Sequence, residues 1–192
     1  MSVVKGSVHL VRRPVVTVVA GMSMLLVPAV AEAAVPPVAA SSSAAIAQQP
    51  SQQDRTFLRK AHQGNLAEIA GGRLAVRKGT CHAVRRIGGT LVTDHSRLDR
   101  DVRVVADRFD VRLPTEPSAE QRRQLARVAR LSGSAFDRAW LRLQIKQHQE
   151  ARRLGQQELR HGHAPAVKAL AAKAGPVIEH HLRQLQKALA HC

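Results

Sequence analysis

Residues 54–192 predict an all-α domain, a bundle of four long helices with one short extra helix. Three observations carry that reading. Apolar residues recur at helical spacing from Asp54 onward, and no stretch alternates with period two over the length of a strand. Glycines and prolines fall at a few places and divide the periodic segments. Two of those segments hold unbroken seams of alternating four- and three-residue gaps, which keep one stripe of a helix against its neighbours.

The first helix is expected over 54–79, closed by Gly79. Its stripe of small residues, Phe57, Ala61, Gly64, Glu68, Gly71 and Ala75, includes one carboxylate; Leu58, Ile69 and Val76 define a neighbouring stripe. The second helix, 81–109, carries the seam Val84, Gly88, Leu91, His95, Leu98, Val102, Val105 and Phe109, with a histidine where a leucine would be expected. Leu113-Pro114 and Pro117 then break the chain. A short helix over 118–131 opens on Ser118 with Gln121 three residues on, a pairing that satisfies free amides of the first turn. Ser132-Gly133 separates it from a third long helix over 134–161, where Ser134 and Asp137 suggest a cap. Trp140, Leu143, Ala151 and Leu154 make its apolar stripe, and His148 falls on a shoulder shared with Leu141 and Ile145. Gly162 and Pro165 precede the last helix, 165–190, whose seam is Val167, Ala171, Ala174, Ile178, His181, Leu185 and Ala188. Gly175-Pro176 within it is expected to kink the axis and free the carbonyl of Ala172.

Ahead of this domain, residues 1–34 read as a cleavable signal peptide: Lys5, Arg12 and Arg13, an apolar run from Val15 to Val30, then the small residues around Ala31-Glu32-Ala33-Ala34. The run is shorter than a membrane span and holds Gly21, Ser23 and Pro28, so a retained anchor is the lesser alternative. Residues 35–53, rich in Ala, Pro, Ser and Gln, read as a disordered tether. The expected address is therefore outside the cytoplasm: secreted, periplasmic or in the cell envelope.

The full chain carries a net charge of +16, and arginine supplies most of its 30 basic residues. Nucleic acid is the first partner such a surface suggests. Against it, the mature chain has only Phe57, Phe109, Phe136 and Trp140 as aromatics, too few to stack bases, and its basic residues are scattered along every helix. Anionic envelope components fit an exported cationic protein better than a specific nucleic acid. Any such binding is expected to weaken steeply with salt and to ignore sequence.

Glu68, His95, His148 and His181 come from four helices and, counted from the helix starts, lie near mid-bundle. Polar residues at one level are how bundle cores build polar or metal sites, and one carboxylate with three imidazoles suits a divalent transition metal such as zinc, copper or iron. A metal-free alternative stands beside it, in which Glu68 and the histidines satisfy one another. His95 is expected to pair with Glu68 and His181. His62, His82, His161, His163, His180 and His191 lie off these seams and read as surface residues.

The runs "DRTFLRKAHQGNLAEIAGGRLA", "LVTDHSRL", "LSGSAFDRAWLRLQIKQHQEA" and "AGPVIEHHLRQLQKAL" resemble the exported bacterial helical family called domain of unknown function 4142, whose members are described as outer-membrane or secreted proteins. The resemblance implies a ferritin-like four-helix fold with no established activity. Its signature positions here would be Glu68, Asp94-His95, Phe136-Asp137, His148 and His181. A di-iron site, however, needs a Glu-x-x-His pair on each of two helices, and Val92 and Ile178 occupy the positions three before His95 and His181. No nucleophilic triad, phosphate loop or hydrolase carboxylate pair appears, so no enzyme is expected. Three functions stay open: a structural or interaction bundle with a buried Glu/His cluster, a mononuclear metal binder or sensor, and a cationic binder of envelope polymers.

The connection from Asp110 to Gly133 is 24 residues, far beyond the roughly two to eight that join antiparallel neighbours. It is expected to cross the length of the bundle, which makes the second and third long helices parallel. Cys81 and Cys192 then share an end and are expected to form a disulfide in an oxidising compartment, unless Cys192 frays or pairs between chains. In a simple up-down-up-down order they would lie at opposite ends.

Overall fold

The structure, a computed structural model, describes residues 49–192. The expected signal peptide and most of the expected tether lie outside them. The described residues form five helices and no strand: α1 Gln52–Lys78, α2 His82–Arg108, α3 Ala119–Ala129, α4 Gly133–His161 and α5 Pro165–His191. None is long and apolar enough to cross a membrane.

α1 begins two residues before the expected Asp54. Ser51 is its N-cap, and Asp54 reaches back to the Ser51 amide at 2.6 Å while the Ser51 hydroxyl accepts from the Asp54 amide at 3.2 Å. This reciprocal box stabilises the first turn. α3 starts on the expected Ser118–Gln121 box. The cap expected from Ser134 and Asp137 is not formed: Ser132 is the N-cap of α4 without a side-chain bond. Asp137 serves another helix instead. Fully buried, it accepts from the backbone amides of Thr80 at 3.1 Å and Cys81 at 2.7 Å, and from the Thr80 hydroxyl. A carboxylate at the N-terminus of α2 also meets the positive end of its dipole.

Contacts at the two ends give the topology. Asp54, at the start of α1, accepts from the amides of His163 and Ala164 at the start of α5, at 3.0 and 3.1 Å. Gln53 donates to Glu158 near the end of α4 at 3.1 Å, and Phe57 packs in one cluster with Phe109, beyond the end of α2, and Val167. At the other end Asp137 of α4 holds the start of α2, and Cys81 is bonded to Cys192 with their Cα atoms 6.0 Å apart. Thus α2 and α4 run parallel, and the segment from Phe109 to Ser132, α3 included, crosses between the ends. The four long helices pack in the ring α1–α2–α5–α4, with α3 against α4 and α1. α5 continues as one helix through Pro176, which lacks the amide that would otherwise bond the Ala172 carbonyl.

The ring is tightest where α1 crosses α2. A Cβ added to Gly88 would meet the Gly72 carbonyl oxygen and the Ala75 Cβ, each at 2.8 Å. Those neighbours are backbone and a buried Ala, so they cannot turn aside. Gly88→Ala is expected to lower stability by about 1–3 kcal/mol despite the better helix propensity of alanine, measured as the denaturation midpoint.

Glu158 predicts a pH effect. It is fully buried in the α1–α4–α5 corner; burial first, then the neighbouring Asp54, pushes its pKa up to about 7. Burial resists ionisation of Asp54 too, but hydrogen bonds from Ser51, Glu158 and the amides of Ser51 and Ala164 hold its pKa down. A raised acid binds its proton more tightly when folded. The stability it adds is therefore complete below the unfolded pKa near 4.5 and lost as pH rises through about 7. Glu158→Gln is expected to flatten that decline, read from unfolding curves at pH 5 and pH 8.

Candidate metal centre

His95 on α2, His148 on α4 and His181 on α5 project into the ring at one level, each 3% exposed or less. One ring nitrogen of each lies within 4.8 Å of the other two. The ring centroids are 5.2 to 5.4 Å apart, with His95 edge-on to His148.

The outward nitrogens fix the tautomers. His148 Nδ1 faces two acceptors, the Gln144 carbonyl at 2.9 Å and Glu68 Oε1 at 3.2 Å, so it carries a proton. His181 Nε2 donates to Asp94 Oδ2 at 3.0 Å, and His95 Nδ1 donates to Asn65 Oδ1 at 3.0 Å. A neutral imidazole has one N–H and one lone pair. The inward nitrogens, His95 Nε2, His148 Nε2 and His181 Nδ1, are therefore all lone-pair acceptors. His148 Nε2 and His181 Nδ1 stand 3.2 Å apart, and His95 Nε2 is buried without a partner.

A proton relieves one contact of this crowding of lone pairs, and a cation can take all three. A single extra proton on His148 lets it donate to His181. Burial opposes that proton, but the charge of Glu68 and its hydrogen bond outweigh burial and raise the pKa of His148. His95 is pushed well below its ordinary value by burial and by its two histidine neighbours. His181 is lowered chiefly by burial, with Asp94 acting against it. The other occupant is a cation: two nitrogens bound tetrahedrally to one ion at about 2.0–2.1 Å would lie roughly 3.3 Å apart, close to the 3.2 Å between His148 Nε2 and His181 Nδ1, with His95 Nε2 within 4.8 Å of both. Each histidine is also backed by an acceptor on its far nitrogen, the support that metal-bound imidazoles use.

The four expected residues are brought together, but Glu68 plays a different part. Its carboxylate stands behind His148, outside the three-nitrogen set, and Oε2 has no partner. His95 pairs with Asn65 in place of Glu68. Asn65 and the backing role of Asp94 went unread in the sequence. Asp94 is one residue from the seam, which turns it out of the ring and toward α5.

His62 is a further correction. It is buried, with Nδ1 2.6 Å from Asp99 Oδ1, and Arg103 lies 3.4 Å from the other oxygen. Leu58, His62, Asn65, Ile69, Gly72 and Val76 form a second four-three row on α1, and its presence was the available signal. His82, His161, His163, His180 and His191 are exposed, as expected.

A helical bundle with a core histidine cluster is what fold and site together define. The chain belongs to the family described as "Domain of unknown function (DUF4142)", which matches residues 39–188. Among solved structures it is similar to a DUF305 fragment from Deinococcus radiodurans, at 18% identity over 75% of this chain and 99% of that one, with a TM-score of 0.67. It is also similar to CopM in the Cu(I)-bound form, at 15% identity over 72% of this chain and 96% of that one, with a TM-score of 0.61. No curated protein gives a significant match.

Proposed function

We propose that this chain is an exported envelope protein with a ferritin-like arrangement of its four long helices, and that it binds one transition-metal ion through His95, His148 and His181. The convergence of three lone-pair nitrogens, each with its far side anchored, carries the reading. An all-imidazole set suits copper or zinc, and the Cu(I)-bound form of the similar CopM fold supports trying copper first. No reaction is assigned to it. The arginine-rich exterior is taken to meet anionic envelope components. Elemental analysis of natively purified protein is the test, joined to thermal melts with and without chelator. One ion per chain and a melt lowered by chelator are expected, because a ligand bound only by the folded state stabilises it.

A second reading rests on the 3.2 Å approach of His148 Nε2 to His181 Nδ1, where one proton on His148, whose pKa is raised, pairs those two nitrogens and leaves His95 Nε2 without a partner. The trio would then set helix register without metal. Metal-free protein whose melt ignores both added metal and chelator would favour it.

A further inference from the structure

A cavity of about 690 Å³ runs from the solvent to the histidine level, bounded by all four long helices. Its volume lies within the roughly 300–1,000 Å³ of ordinary small-molecule sites. It is elongated: the α4 residues along it run from Lys146 to Leu159, roughly 20 Å of helix at about 1.5 Å per residue. Phe57, Leu98, Val102, Leu154, Leu170 and Ile178 give it apolar walls. Space is left where side chains would ordinarily fill a bundle. Beside Gly64 and Gly155 nothing stands within 4 Å of where a Cβ would be. A metal ion needs no such volume and gains nothing from such walls.

The rim has its own chemistry. The acids at its edge are already paired: Asp101 with Lys173 at 2.7 Å, Glu179 with Arg152 at 3.5 Å, Glu150 with Lys146 at 4.0 Å, and Glu120 with Arg123 at 2.8 Å. Lys60 and Arg153 also line the cavity, are exposed, and have no ion-pair partner among the described residues. The mouth therefore offers two free cations above an apolar channel.

We infer that the cavity binds a single-chain anionic amphiphile, with its alkyl chain between the helices and its carboxylate or phosphate head at Lys60 and Arg153. The site is independent of the metal reading, although Glu68 and His95 form part of the shared wall. Such a ligand could reach the protein as a free fatty acid or from a membrane surface.

Calorimetric titration of the full chain with dodecanoate, dodecylammonium and phosphatidylglycerol vesicles tests it. Dodecanoate is expected to bind one per chain in the micromolar range, and dodecylammonium at least tenfold more weakly. Gly64→Leu with Gly155→Leu fills the channel while improving helix propensity, so this variant is expected to melt no lower than the parent and to lose dodecanoate. Lys60→Glu with Arg153→Glu is expected to weaken dodecanoate at least tenfold. Binding of vesicles alone, to parent and filled variant equally, would mean attraction to the arginine surface and would overturn the proposal. Equal affinity for both head groups, or dodecanoate binding that survives channel filling, would overturn it as well. Metal content, assayed separately, is unaffected by either failure.

Discussion

His148→Ala is expected to abolish metal binding, with affinity falling by more than about 100-fold, and to make the melt insensitive to chelator. Two effects coincide at this residue. Its Nε2 is one of three converging lone-pair nitrogens, and its Nδ1 lies 3.2 Å from Glu68 Oε1 as well as 2.9 Å from the Gln144 carbonyl. Removing it leaves a carboxylate that is 3% exposed without its counterpart, a loss of about 3–5 kcal/mol for comparable buried pairs. Denaturation of metal-free protein reads the second effect; competition with a chelator of known affinity reads the first. Glu68→Gln separates ligand from support: one ion per chain should remain, bound about 10–100-fold more weakly. Unchanged metal affinity in His148→Ala would remove the trio as the binding site.

Loss of the Cys81–Cys192 bridge is expected to lower stability by about 2–5 kcal/mol, because it closes a large loop in the unfolded chain. The two cysteines are 111 residues apart in sequence and join the start of α2 to the end of α5. Equilibrium unfolding of Cys81→Ser with Cys192→Ser against the parent measures the effect, and non-reducing peptide mass spectrometry establishes the linkage. Two free thiols in protein recovered from an oxidising compartment would contradict the arrangement.

Helix positions and the seams of α2 and α5 were legible because alternating four-three gaps determine which side of a helix is buried, whatever it packs against. Every expected boundary lies within two residues of the helix observed. The topology followed from one length, the connection too long for adjacent antiparallel helices. Which polar atoms touch was less legible. His148 sits on the shoulder of its stripe, and its burial depends on how α4 rolls against α1 and α5. Asp94 lies off the seam, yet it reaches His181 because α5 is the neighbour on that side. Contacts of this kind depend on rotation about each axis and on side-chain rotamers, which spacing along one chain does not specify. Asn65 was hidden for a different reason: the neighbouring row of Leu58, Ile69 and Val76 was legible by its apolar members, and the polar His62 and Asn65 that share its buried part carry no hydrophobic signal.

The bridge also divides the site mechanically. His95, His148 and His181 all lie within the covalent ring closed between Cys81 and Cys192, whereas Asn65 and Glu68 are on α1, outside it. A tensile load entering at the N-terminal end of α1 therefore peels away a helix held only by noncovalent contacts. It strips Asn65 from His95 and Glu68 from His148, which keeps the Gln144 carbonyl, while the three imidazoles stay on one closed loop of chain. Traction on that end would loosen the grip on a bound ion before it dispersed the ligands.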